Sequence, residues 1–191
     1  MSKEWHKNIG KAVMNRKALI KEPINQSQID NVIDGYYIVK LNLEDLKREG
    51  ELMGHCIGSD NYQRKVKEGK GTVYSIRDKK NLPHVTILVE NIEKRNIVKE
   101  YQGKANRYPE KEYSIVMYKW LLNKIVEKEW NENIKELITI SIRCLGVNEI
   151  KHLVEFLNRI DIKNLDFNDL LFQVCERGNI EIAEYLVSLG A

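Results

Sequence analysis

The sequence predicts an α+β fold, a three-stranded antiparallel meander packed by helices, followed by an all-α helical tail. Three observations predict it. Residues 72–78, 84–90 and 97–103 are short runs rich in β-branched and aromatic side chains, separated by polar turns such as Lys79-Lys-Asn-Leu-Pro. Past Pro109, apolar residues at Tyr113, Val116, Met117, Trp120, Leu121 and Ile125 form the stripe of a helix lying on a sheet. From about residue 137, two similar helical segments recur at an offset of 32 residues.

Residues 1–35 open with Trp5, Ile9, Ala12, Val13, Leu19 and Ile20 near helical spacing among lysines, the pattern of a basic amphipathic helix ended by Pro23. Asn25-Gln-Ser-Gln reads as a polar connector, and Tyr36–Leu41 as a strand. Asn42 has the position of an N-cap for a helix over 43–53, with Glu44 and Asp45 in its first turn. That helix should stop at Gly54 and release His55 and Cys56 into a loop. Ser59 or Asp60 then caps a short helix over 62–68, and Gly69 and Gly71 lead into the meander. The long helix after Pro109 gives way near 130–133. The expected domains are thus 1–35, 36–130 and 137–191.

Composition bounds the function. With 42% hydrophobic and 31% charged residues over 191 positions, the chain has the make-up of a globular protein. No window of 18 consecutive apolar residues occurs, and the N-terminus lacks the apolar run of a signal peptide, so the expectation is a cytoplasmic protein with no membrane partner. Cys56, Cys144 and Cys175 include no CxxC pair and are too few for a disulfide framework. Cys144 and Cys175 fall within helices and are expected to be buried packing residues. The net charge of +3 conceals a basic front and an acidic rear. Residues 64–80 carry seven basic against two acidic side chains, while residues 127–191 carry seven against twelve. A basic front suits an anionic partner.

In the tail, Gly146-Val-Asn-Glu-Ile-Lys-His-Leu-Val-Glu-Phe-Leu aligns with Gly178-Asn-Ile-Glu-Ile-Ala-Glu-Tyr-Leu-Val-Ser-Leu, each preceded by a short apolar helix. This resembles ankyrin repeats, and the second copy is the closer to their consensus. The resemblance implies a protein-binding tail.

The front half carries a longer pattern. Leu41 to Gly58 includes Glu49-Gly50, Met53 and His55-Cys56-Ile57-Gly58, followed in order by Ser75-Ile76-Arg77, Thr86, Gln102-Gly103 and Asn106. These blocks resemble the PcfJ-like proteins of conjugative plasmids, phages and related mobile elements over about residues 36–125. The resemblance implies service to a mobile element or virus and no defined reaction. Departures include Ile57 for the usual Val and Leu88 where the family's Thr-x-Glu places its carboxylate.

The residues support three readings. In the first, Arg77, Lys104 and their basic neighbours, interleaved with tyrosines on a small sheet, bind nucleic acid through phosphate contacts and stacking, with His55, Ser75, Thr86 and Asn106 lining the groove. In the second, Cys56, at the start of a helix, is a nucleophile with His84 as base and Gln102 as the amide partner, in the chain order of papain-like enzymes. In the third, the front half is a scaffold for a protein-binding tail. His55, Cys56, His84 and a carboxylate offer too few soft ligands for zinc, and Gly69-Lys-Gly71 precedes a strand rather than a helix, so neither a metal, a phosphate loop nor any cofactor is expected.

Overall fold

A computed structural model describes residues 23–127, 130, 133–159, 167–176, 178–188 and 190. The basic N-terminal helix expected over residues 1–21 lies outside them. The chain divides into two compact units, Met1–Trp120 and Leu121–Ala191.

The first unit is built on a sheet of five strands, β1 (Ile29–Ile33), β2 (Tyr36–Leu41), β3 (Gly71–Arg77), β4 (Pro83–Ile92) and β5 (Arg95–Gln102). They lie in chain order, each antiparallel to the next. The expected three-stranded meander is therefore corrected to five strands. The reason is local. Asp34-Gly35 forms the tight connection between β1 and β2, both residues at positive φ (52° and 80°), the two-residue turn whose twist suits a hairpin. β1 was hidden by Asp30 and Asn31, which break its apolar run. Asp30 finds its partner far away in sequence, accepting a hydrogen bond from Trp120 Nε1 at 2.8 Å. The β4–β5 connection is equally tight, with Asn91 paired to Asn96 and Ile92 to Arg95 around Glu93-Lys94, so both strands outrun the polar turn read there.

Strand alternation gives the sheet two faces. On one, Val39, Leu41, Val73 and Leu88 form a buried cluster with Leu46 of helix α1 (Asp45–Met53) and with Ile57; Tyr62 and Val66 of α2 (Asp60–Lys67) pack against it. Burying each such aliphatic side chain contributes roughly 1.5–3 kcal/mol. On the other face, Tyr74 meets the Trp120 ring at 5.0 Å and Tyr36 meets Tyr113 edge-on at 5.6 Å, both partners lying on α3 (Lys111–Val126). α3 starts where the residues after Pro109 predict it. The first face positions the site.

In the second unit α4 (Ile134–Cys144), α5 (Val147–Arg159), α6 (Phe167–Glu176) and α7 (Ile180–Ser188) follow in order, with α4 packed on α6 and α5 on α7. The structure adds helices to the ankyrin resemblance, not a repeat identity. Cys144 is buried as expected. Cys175 is exposed, contrary to expectation, because Val174 takes the inward position and the next residue is rotated by about 100°.

Candidate functional site

The site begins with a carboxylate on the wrong side of a helix. On α1 the inward stripe runs Leu46, Glu49, Gly50 and Met53, the i, i+3, i+4, i+7 positions, and Glu49 is fully buried there. Gly54, at φ 70°, ends the helix in the left-handed region. The chain then turns back so closely that a Cβ on Gly58 would stand 2.7 Å from Lys47 Cα, and one on Gly50 would stand 2.9 Å from His55 O. Two glycines thus pin the turn Cys56–Gly58 against α1. His55, immediately before that turn, is extended (φ −140°, ψ 173°), so its side chain and that of Cys56 diverge.

Below this turn the sheet presents two cross-strand rows. Val39, Ser75, Thr86 and Gln102 are partners across β2 to β5, and Leu41, Val73, Leu88 and Glu100 form the next row. Glu49 descends on the first row. Thr86 Oγ1 donates to Glu49 Oε1 at 2.8 Å, and Arg77 Nη2 donates to Glu49 Oε2. Arg77 also donates from Nε to Ser75 Oγ at 3.1 Å and from Nη1 to Asn81 Oδ1 at 2.9 Å. All five residues are buried. Isolated burial of either charge would be prohibitive, and here the pair is surrounded by hydrogen bonds.

The network fixes a tautomer. The Thr86 hydroxyl has one proton and gives it to a carboxylate, which only accepts. His55 Nε2, 3.0 Å from Thr86 Oγ1, must therefore be the donor, leaving Nδ1 as the basic nitrogen of the neutral ring. Burial pushes the His55 imidazole below its ordinary value, with Glu49 and Glu100 acting in the opposite sense.

Cys56 points elsewhere. Its Sγ lies 3.7 Å from Tyr62 Oη, to which it donates, and Tyr62 Oη donates to Glu100 Oε2 at 2.9 Å. Burial first, and then the hydrogen bonds to Cys56 and Glu100, hold the Tyr62 phenol well above its ordinary range. His55, Cys56, Tyr62, Thr86, Glu100 and Gln102 all line one pocket of about 10 Å³, room for a single water molecule. Glu100 is the cross-strand partner of Leu88.

Of the residues singled out from the sequence, the structure brings together His55, Ser75, Arg77 and Thr86 in the buried network, and Cys56 and Gln102 in the adjoining pocket. It does not bring His84 to them. His84 stacks on Tyr113 at 4.2 Å, lies edge-on to Tyr36, and has Nε2 3.4 Å from Asp78 Oδ2. Lys104 and Asn106 sit in an exposed turn beyond the end of β5. Arg77, read as a phosphate ligand, is occupied by Glu49, Ser75 and Asn81. Glu49, Tyr62 and Glu100 were missed as site residues, although a carboxylate on the apolar stripe of α1 was a readable signal for the first. Among the described residues no helix is long and apolar enough to cross a membrane.

Comparison with known proteins covers this part of the chain. A family model described as PcfJ-like protein matches residues 4–116. An uncharacterized protein of Listeria innocua is 34% identical over 82 residues, 42% of this chain and 18% of that relative, so the chain spans under a fifth of the relative's length. No solved structure matches. With the match spanning more than half of the chain, including α1, all five strands and every residue of the network and pocket, the chain belongs to the PcfJ-like protein family.

Proposed function

We propose that the PcfJ-like domain is a thiol-centred reaction site with Cys56 as nucleophile. The observation that carries this reading is the hydrogen-bond chain from Cys56 Sγ through Tyr62 Oη to Glu100 Oε2, at the mouth of a pocket shared with His55 and Gln102. Cys56 is exposed to an incoming electrophile. As Sγ adds to an acyl carbon, its proton passes to Tyr62 and the Tyr62 proton to Glu100 while the C=O electron pair moves onto oxygen; on collapse the bond to the leaving group breaks and that group takes the proton back from Glu100 through Tyr62. Gln102 supplies an amide donor for negative charge developing on the attacked group, as in hydrolases and transferases. The His55–Thr86–Glu49–Arg77 network positions the turn that carries Cys56. The same proposal gives the helical tail a protein-binding role, supported by the exposed apolar side chains Phe172 and Ile180.

The test is residue-resolved alkylation by iodoacetamide near neutral pH. Cys175, also exposed, serves as the internal reference, and buried Cys144 as the folded-state control. Cys56 should label faster than Cys175, and Tyr62→Phe or Glu100→Gln should slow it by about a hundredfold, the lower reach of general-base catalysis. A carboxylate that only repelled a thiolate would give the opposite sign. Faster labelling of Cys56 in Glu100→Gln would overturn the reading.

A further inference from the structure

A second cleft lies on the other side of the β5 terminus and shares no lining residue with the Cys56 pocket. Its volume is about 560 Å³, within the range of small-molecule sites. One wall is aromatic and preformed: the His84 and Tyr113 rings stack 4.2 Å apart and 18° from parallel. Tyr108, partly exposed and held edge-on against Tyr101 at 5.6 Å, stands on the rim. Lys104 and Arg107 bring two cations to the opening, and Glu110 one carboxylate.

The cations are placed by a closed loop. Gly103 N–H donates to Arg107 O at 2.8 Å, and Arg107 N–H donates to Lys104 O at 3.2 Å. Ala105 and Asn106 both take positive φ, which folds Lys104 and Arg107 to the two ends of one tight turn. Both side chains are exposed and make no ion pair among the described residues. This sets them apart from two other basic residues of the front half. Lys65 is bound to Glu90 at 2.6 Å, and Arg77 is buried against Glu49. Glu110 is the carboxylate residue lining the cleft, and Asp78 Oδ2 lies 3.4 Å from His84 Nε2.

A bare anion would gain from the two cations and meet the Glu110 carboxylate. A ligand that joins a phosphate to a flat ring and to hydroxyl or amino donors would use every group present. We propose that this cleft binds a nucleoside phosphate. The base lies against the His84–Tyr113 wall, the phosphate engages Lys104 and Arg107, and Glu110 accepts from a sugar hydroxyl or a base amino group. The ligand can be a free nucleotide or one nucleotide of a single strand, and the experiment separates these. The inference is independent of the thiol reading, whose residues lie in the other pocket.

The full chain is titrated at low salt with the four ribonucleoside 5′-monophosphates, by competition against a fluorescent nucleotide, and with a fluorescein-labelled mixed-sequence single strand. Saturable binding is expected, weakened roughly tenfold or more in Lys104→Glu/Arg107→Glu, since charge-assisted contacts carry that much affinity. The control Lys67→Glu/Lys99→Glu makes the same change in net charge at exposed sites away from the cleft and should bind as the unaltered chain does. Binding of monophosphates with no gain for the strand identifies a free nucleotide. Binding of the strand alone identifies nucleic acid. No binding of either, equal weakening by both double variants, or displacement by inorganic phosphate as effective as by nucleotide at equal ionic strength would overturn the proposal.

Discussion

Glu49 and Arg77 are a charge pair that the fold can neither expose nor neutralise cheaply. Each is surrounded by partners that presuppose the other, so removing one leaves a buried charge uncompensated. Glu49→Gln should cost about 3–5 kcal/mol in urea unfolding, whereas a combined Glu49→Leu/Arg77→Met replacement should cost clearly less, because no charge remains buried. A loss below 1 kcal/mol for the single change would mean that water reaches the pair. His55 makes a pH prediction at the same scale. Its folded value is lowered by burial, so the unfolded chain takes up the proton first. The stability due to neutral His55 is therefore fully present above about pH 6.5, the unfolded value, and is lost as pH falls from there through the lower folded value. Unfolding free energies compared between about pH 7.5 and 5.5 should fall more steeply for the unaltered chain than for His55→Gln; parallel slopes would refute the assignment.

Among the elements, the one that decides the site is the junction of α1 with the turn Cys56–Gly58. It depends on two backbones approaching where neither tolerates a Cβ. Gly58→Ala should therefore destabilise the protein by about 1–3 kcal/mol through overpacking and shift Cys56 away from Tyr62, read as a changed Cys56 alkylation rate with Cys144 still protected. An unchanged rate and an unchanged unfolding midpoint would show that the junction relaxes freely. The hairpin β1–β2 illustrates the opposite case, a turn chemistry plainly written in the sequence. Asp34-Gly35 is a strong two-residue hairpin signal, masked by Asp30 and Asn31 in the strand before it. Propensity and alternation read a polar residue as facing water. Asp30 instead faces an indole N–H delivered by α3 from 90 positions away.

For the molecule as a whole, the two units answer to different parts of the sequence. The family match ends at residue 116, just short of the boundary of the first unit at Trp120. The charge asymmetry follows the same division, yet the total charge of the front half overstates what is free to bind. Lys65 and Arg77 are spent on Glu90 and Glu49, while Lys104 and Arg107 are not, and only pairing in three dimensions makes that distinction. The proposed thiol site and the proposed nucleotide cleft both draw on the end of β5, Gln102 entering one and Gly103, Lys104 and Arg107 the other.

The helices α1, α2 and α3, the strands β2 to β5 and the turn carrying His55 and Cys56 were legible because each rests on short-range physics: apolar period, glycine stops and capping residues separated by a few positions. So was the set of polar residues that the family pattern joins. Their grouping was not. Cys56 followed by His84 and Gln102 reads as a catalytic order along the chain, but a strand shows alternate residues to opposite faces and local irregularities reset the count. The ladder between β3 and β4 shifts register at Ile76 and Arg77, and His84 finds its stacking partner on the α3 side of the sheet. Glu49 and Glu100, drawn from a helix and from the last strand, reach His55 and Tyr62 only through the packing of α1 and α2 on five strands. The sequence by itself determined the elements and the chemical inventory. Cross-strand register and helix docking decided which members of that inventory meet, because those depend on contacts between residues tens of positions apart.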